Sequence, residues 1–153
     1  MIKSYAKINL SLRILGKKKN KLHNIQSNIL LINLLNEIKI KKINNNKDKI
    51  FFTGPFSKDV NNNKNSISET LNLLRLKKKI KEHYKVSVKK RIPVFSGLGG
   101  GTSNAAFIIK YFIQGKINEK NFKYFENKIG SDLRLFFAKQ SYQKSLRKLE
   151  KYK

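Results

Sequence analysis

The sequence predicts an α+β fold on three observations. Residues 4–15 and 84–92 alternate apolar and polar side chains with the period of two that a half-buried strand requires. Ile67, Leu71, Leu74 and Ile80 are instead spaced for one buried face of a helix. A glycine-rich segment, 93–101, lies between a strand pattern and a helix pattern. These elements do not follow strict β-α alternation, which is the mark of the α+β class.

Each element has a local reason. In residues 4–15, Ile8, Leu10, Leu12 and Ile14 fall on one face, and Lys7, Asn9, Ser11 and Arg13 on the other. Gly16 and the basic run 17–21 close that strand as a turn. The Ile-rich stretches 25–34 and 37–43 read as two further strands. Asn44 to Asn46 form a loop, Ile50 to Thr53 a short strand, and Gly54-Pro55 a turn. After the polar loop 61–65, Ser66 or Ser68 is placed to cap a helix reaching about Glu82. Tyr84 to Ile92 is the next strand. A helix follows the glycines from about Thr102 to Gln114 and ends at Gly115. Residues 118–128 predict a shorter helix and 130–137 another helical segment. The last stretch, 138–153, is basic and carries Tyr142, Leu146 and Leu149 at helical spacing. The expected organisation is one domain over 1–137 followed by this basic segment.

A length of 153 residues suits one domain, and 39% hydrophobic residues can furnish its core. The chain has 35 Lys and Arg against 9 Asp and Glu, a formal charge of +26. Such a charge usually points to nucleic acid. Here Lys supplies 30 of the 35 basic residues, and Arg, the bidentate reader of bases and phosphates, only 5. Lys, Asn and Ile, all with A/T-rich codons, make up 66 residues, and the basic ones are spread along the chain. Nucleic-acid binding is therefore disfavoured, while a polyanionic small substrate still suits a basic surface. The absence of cysteine excludes disulfides, thiolate metal sites and cysteine nucleophiles. The longest apolar stretch, Ile29 to Leu35, is interrupted by Asn33 and falls far short of the roughly 18 residues of a membrane span. Residues 1–7 have no apolar leader. No membrane partner and a cytoplasmic location are the expectations.

The segment Pro93-Val94-Phe95-Ser96-Gly97-Leu98-Gly99-Gly100-Gly101-Thr102-Ser103-Asn104 carries the most chemical information. Four glycines within five positions let a backbone approach a ligand closely. Their N–H groups can converge on an anion, with the positive end of the following helix behind them. Thr102 and Ser103 can cap that helix and donate to phosphate oxygens. The pattern is not a Walker loop, because no Gly-Lys-Ser/Thr follows. It is not a dinucleotide fingerprint either, since Thr stands at 102 where that pattern needs glycine.

These residues, continued by Ala105-Ala106, resemble the phosphate loop of the GHMP kinases. Within that superfamily they resemble the 4-diphosphocytidyl-2-C-methyl-D-erythritol kinases. Two further motifs agree in order. Ala6-Lys7-Ile8-Asn9-Leu10 is similar to the family's first strand, and Gly130-Ser131-Asp132-Leu133 with Phe136-Phe137 to its Gly-Ala-Asp-Val-Pro-x-Phe segment.

The resemblance implies a GHMP kinase N-terminal domain of ribosomal protein S5 domain 2-like fold. It also implies transfer of the ATP γ-phosphate to the 2-hydroxyl of a cytidine diphosphate-linked methylerythritol, in the non-mevalonate isoprenoid pathway. Asp132 is then the base that takes the hydroxyl proton, a role that needs a positioned carboxylate; by itself it also fits a helix cap. Lys7 is the catalytic lysine, although by itself it is one lysine among thirty. Asn9, Leu22 and His23 are carried over as substrate contacts, with His23 on the cytosine. Pro93, Gly97, Leu98, Gly99, Gly100, Gly101, Thr102 and Ser103 would hold ATP, with Asn65 and Lys90 near adenine. Magnesium is expected with ATP, and no ligand for it stands out, so no metal residue is assigned.

Three departures from the family pattern follow. The Gly-Tyr-His triplet is Lys21-Leu22-His23, so Leu22 offers apolar contact without an aromatic ring. The proline of Asp-Val-Pro is Arg134. The family's C-terminal GHMP domain is missing, which suggests a truncated and inactive form, or a second half encoded separately. The competing readings are an RNA-binding domain of the same fold and a GHMP kinase for another alcohol.

Overall fold

The computed structural model describes residues 1–17, 23–62, 64–115, 117–137, 140–145 and 148–150, with backbone alone at 17, 23–25 and beyond 139. Its spine is a long antiparallel hairpin of β1 (Ile2–Lys17) and β2 (His23–Ile43). β3 (Lys49–Thr53) leads through helix α1 (Ser66–Leu76) to β4 (His83–Lys89), which lies parallel to β3. β4 pairs antiparallel with residues 37–43 of β2. Helix α2 (Gly100–Ile113), helix α3 (Glu119–Ile129) and a 3-10 helix over Ser131–Phe137 come next. β5 (Gln140–Ser145) pairs with residues 27–30 of β2, and β6 (Lys148–Glu150) with β5. The sheet order is β3-β4-β2-β5-β6, with β1 on the other edge of β2.

Four expectations are corrected. The strands expected at 25–34 and 37–43 are one strand. Tyr5 stands opposite Leu35 and Ala6 opposite Ile32, so Asn33 and Leu34 are taken up in a bulge that bends the strand without ending it. A second bulge lies between Asn9 and Ser11 and leaves Leu10 without a partner. It reverses the facing of β1. Asn9 is opposite Ile29, whereas beyond the bulge Leu12 is opposite Ser27, two residues from Ile29 and therefore on the same face. Leu12 and Ile14 thus share the face of Lys7 and Asn9 and stay largely exposed. The third correction is at 140–145 and 148–150, where β5 and β6 replace the helical spacing; Leu146 lies outside the described residues. The free edge of β2 offers unpaired backbone groups, and pairing with them outweighs a three-residue periodicity.

The fourth concerns helix ends. The cap of α1 is Asn65, not Ser66 or Ser68. Its Oδ1 accepts from the N–H groups of Ile67 and Ser68, and the Ser68 hydroxyl faces back to Asn65. The helix stops at Leu76 rather than near Glu82, because Lys78 turns into the left-handed region at φ 53°. Ile80, in the turn beyond, remains buried. α2 begins two residues earlier than expected, at Gly100. Gly99 stands before it at φ 71° without a side-chain cap, so Thr102 and Ser103 do not cap it.

The helices cover one face of the sheet. Val86 and Val88 of β4 and Ile38 of β2 meet Ile67, Leu71 and Leu74 of α1 and Ile108 and Ile109 of α2. Leu133 and Phe136 of the 3-10 helix join the same core. Lys85 and Lys89 point to the opposite, solvated face of β4. Among the described residues, no helix is long and apolar enough to cross a membrane.

Candidate active site

The glycine loop is held at both ends by backbone contacts. The Lys7 N–H donates to the Leu98 carbonyl at 3.0 Å, fastening the loop to β1. The Ser103 N–H donates to the Gly99 carbonyl at 2.8 Å, closing the first turn of α2. Two glycines are required by contact. A Cβ on Gly99 would lie 2.7 Å from Phe136 Cζ and 3.3 Å from Lys7 Cγ, and its φ is positive. A Cβ on Gly100 would lie 2.9 Å from Ile92 Cγ2. The glycines therefore let β1, the loop and the 3-10 helix meet at one point.

Behind the loop is a buried polar network. Asn104 Oδ1 accepts from Ser4 Oγ at 2.8 Å and from Asn36 Nδ2 at 2.9 Å. Asn36 Oδ1 accepts from the N–H groups of Arg91 and Ile92. The Ser103 hydroxyl donates to the Tyr5 carbonyl at 2.6 Å and lies 2.8 Å from Ser4 Oγ. All four side chains are buried. A buried network of this kind fixes the arrangement, because each lost partner leaves a costly bare polar group. Ser4 and Asn36 are functional supports that sequence reasoning missed. A legible signal existed for Asn36, a polar residue inside an apolar strand run.

In front of the loop is a cleft of about 460 Å³. Gly97, Gly99, Gly100, Gly101 and Thr102 form one wall, and Phe52, Val60, Asn61, Lys64 and Asn65 line the rest with Pro93, Phe95 and Lys90. Asp132 lies at its edge. The N–H groups of Gly100, Gly101 and Thr102 precede any intrahelical acceptor, so the cleft wall is a set of donors at the positive end of a helix.

The structure brings most of the expected site residues together. Lys7 is 8% exposed; its Nζ donates to Asn9 Oδ1 at 2.8 Å and lies 3.5 Å from Asp132 Oδ2. Asn9 Nδ2 donates in turn to Ser27 Oγ at 2.6 Å. Asp132 remains partly open, with a side-chain exposure of 37%. Lys90 reaches the cleft wall, but its ammonium donates to the Ile92 carbonyl at 2.6 Å, and burial pushes its pKa down. Asn65 lines the cleft with its amide engaged in capping and in bonds to the carbonyls of Asn61 and Asn62. Leu98 contributes its carbonyl to Lys7. The Ser103 hydroxyl turns away from the cleft into the network. His23 begins β2 opposite Lys17, at the far end of the hairpin. Leu22 lies outside the described residues.

The arrangement can bind a polyanion on the helix N-terminus and present a carboxylate and an ammonium side by side next to it. Among the described residues, no group of three His, Asp or Glu side chains forms a chelating cluster.

Comparison with known proteins bears on the family and the fold. Residues 65–122 match the family model described as the GHMP kinases N terminal domain. The chain is 44% identical over 136 residues to the 4-diphosphocytidyl-2-C-methyl-D-erythritol kinase of Pelagibacter ubique, covering 86% of this chain and 48% of that one. It is 37% identical over 140 residues to the enzyme of the same name from Ureaplasma parvum, covering 90% and 52%. The chain thus spans about half the length of these curated relatives. Among solved structures, a 4-(cytidine 5'-diphospho)-2C-methyl-D-erythritol kinase superposes with a TM-score of 0.72 at 18% identity, over 97% of this chain and 53% of that one. A homoserine kinase from Cytophaga hutchinsonii superposes at 0.64 with 13% identity, over 97% and 49%. At such identities these structures speak to the fold alone.

Proposed function

Because the chain belongs to the GHMP kinase family, with the fold of its N-terminal domain, we propose that it takes part in ATP-dependent phosphorylation of an alcohol. The substrate we infer is 4-diphosphocytidyl-2-C-methyl-D-erythritol, the compound in the names of the relatives that the chain resembles, with its 2-hydroxyl as the reacting group. The observation that carries this reading is the pairing of Lys7 with Asp132 at 3.5 Å beside the donors of Gly100, Gly101 and Thr102.

The hydroxyl oxygen forms the new bond to the γ-phosphorus as the bond from that phosphorus to the bridging oxygen of ADP breaks. The hydroxyl proton passes to the Asp132 carboxylate. Lys7 holds that carboxylate in place and lies where charge builds up on the transferring group. The loop N–H groups hold the phosphates without reorganising during transfer. Asn9, bonded to Lys7, keeps its ammonium aimed. Magnesium would arrive with ATP, with phosphate and water oxygens as its ligands. No step here depends on a protein ligand to the ion.

The test is phosphorylation of 4-diphosphocytidyl-2-C-methyl-D-erythritol by the 153-residue chain and by Asp132→Asn. Loss of a general base typically removes about 10²–10⁴-fold in rate. Equal turnover by the two proteins would take Asp132 out of that role. Failure of the unsubstituted chain to bind ATP in calorimetry would remove the kinase reading itself.

A further inference from the structure

Phe95 is a residue of the glycine loop to which the preceding chemistry gives no role. Its side chain is fully exposed, at 101% of the reference area. Its backbone is left-handed, with φ 58°. For a bulky aromatic residue both features are unfavourable, one through backbone strain and the other through unburied apolar surface. Glycine would make the same turn at no steric cost, as Gly97 and Gly99 do nearby at φ 76° and 71°. The ring is therefore held in solvent, on a residue of the cleft lining, at a cost to the free protein.

The cleft is chemically divided. One end is the donor set of Gly100, Gly101 and Thr102. The rest of the lining carries apolar Phe52 and Val60 together with Asp59, Asn61 and Lys64. The amide of Asn65, the polar group expected near adenine, is engaged in capping α1 and in loop bonds. Apolar contact for a base is available from Phe52 and Val60, and Phe95 adds a fully exposed aromatic residue to the lining.

We propose that Phe95 stacks on the base of the nucleotide whose phosphates occupy the α2 N-terminus, and so selects nucleotides over bare polyphosphate. This rests on the ATP reading of the cleft. Burial of the ring on binding would offset the strain carried by the free loop.

The chain contains no tryptophan, so Phe95→Trp introduces a single reporter. Its fluorescence is expected to be quenched by ATP and left unchanged by tripolyphosphate. In calorimetry, Phe95→Ala is expected to weaken ATP binding by about tenfold, within the range for loss of one stacked base, with tripolyphosphate binding unchanged. Phe95→Gly should fold with an equal or higher Tm, which separates this role from a structural one. Unaltered ATP affinity in Phe95→Ala, or absence of quenching at saturating ATP, would overturn the proposal while leaving the kinase reading intact. Equal losses for ATP and tripolyphosphate would also overturn it, since the ring would then act on the phosphate loop. If the unsubstituted chain binds tripolyphosphate as tightly as ATP, the base has no site and the proposal fails.

Discussion

At Gly99 three elements come within contact distance, and the residue has no room for a side chain. Alanine there would place its Cβ 2.7 Å from Phe136 Cζ in a backbone conformation of φ 71°. Either Phe136 moves, shifting the 3-10 helix that carries Asp132, or Lys7 does. Gly99→Ala is expected to lower stability by about 1–3 kcal/mol in urea unfolding, through strain and overpacking. The same variant should lose ATP-dependent turnover by more than it loses ATP affinity, because it disturbs the Lys7–Asp132 pair. The need for glycine at this position was legible as a cluster in the sequence. Its cause, the Phe136 ring across the loop, was not, because 37 residues separate the two.

The 3-10 helix over Ser131–Phe137 is an intrinsically weak element, and its neighbours hold it. Lys110 of α2 donates to the Phe136 carbonyl at 2.5 Å. Arg134 reaches α3, with Nε 3.4 Å from Glu126 Oε1, Nη2 2.9 Å from Glu119 Oε1, and its guanidinium 4.4 Å from the Phe122 ring centre. Glu126 is 2% exposed, so Arg134 is the partner of a buried carboxylate. The residue that departs from the family's proline thus ties the Asp132 segment to α3 by charge. Arg134→Met would leave that carboxylate unpaired and is expected to destabilise by about 3 kcal/mol in chemical denaturation, with Arg134→Lys recovering part of it. Glu119 is mostly exposed, and although Arg134 holds its pKa below the ordinary value, this outer pair contributes little.

The same scale shows how far local patterns reach. The α1 face, the β4 alternation and the start of α3 were all legible, because helix and strand periods act over neighbouring residues. The merger of two expected strands into β2 was not. A bulge at Asn33-Leu34 depends on what stands opposite, and only the register with β1 supplies that. The strands after 139 escaped for the same reason: their partner, residues 27–30, lies more than 100 positions earlier.

Across the whole molecule, burial lowers the pKa of Lys90 and of Lys110 below the ordinary lysine value of 10.5. The folded protein therefore gives up these protons at lower pH than the unfolded chain does. The resulting cost to stability is full below the folded-state values and is relieved as pH rises towards 10.5. Stability measured by urea titration is expected to increase from pH 7 into that range. Replacing both residues by methionine should flatten part of that rise. A slope unchanged in the double variant would show that the rise comes only from relief of the +26 charge.

By itself the sequence determined the α+β class and the glycine-rich loop pattern, and its motifs, through their resemblance to a family, marked Lys7, Asn9 and Asp132 as a candidate set. Periodicity, glycine content and motif order are properties of adjacent residues and survive without coordinates. The tertiary structure alone decided that Lys7 and Asp132, 125 positions apart, stand 3.5 Å from each other. It also decided that Asn36 and Ser4 hold the loop from behind, that Asn65 is occupied as a cap, and that Phe95, in the cleft lining, stays fully exposed. Each of those depends on which distant backbone comes to lie alongside, and that is set by strand register and by packing around the glycines.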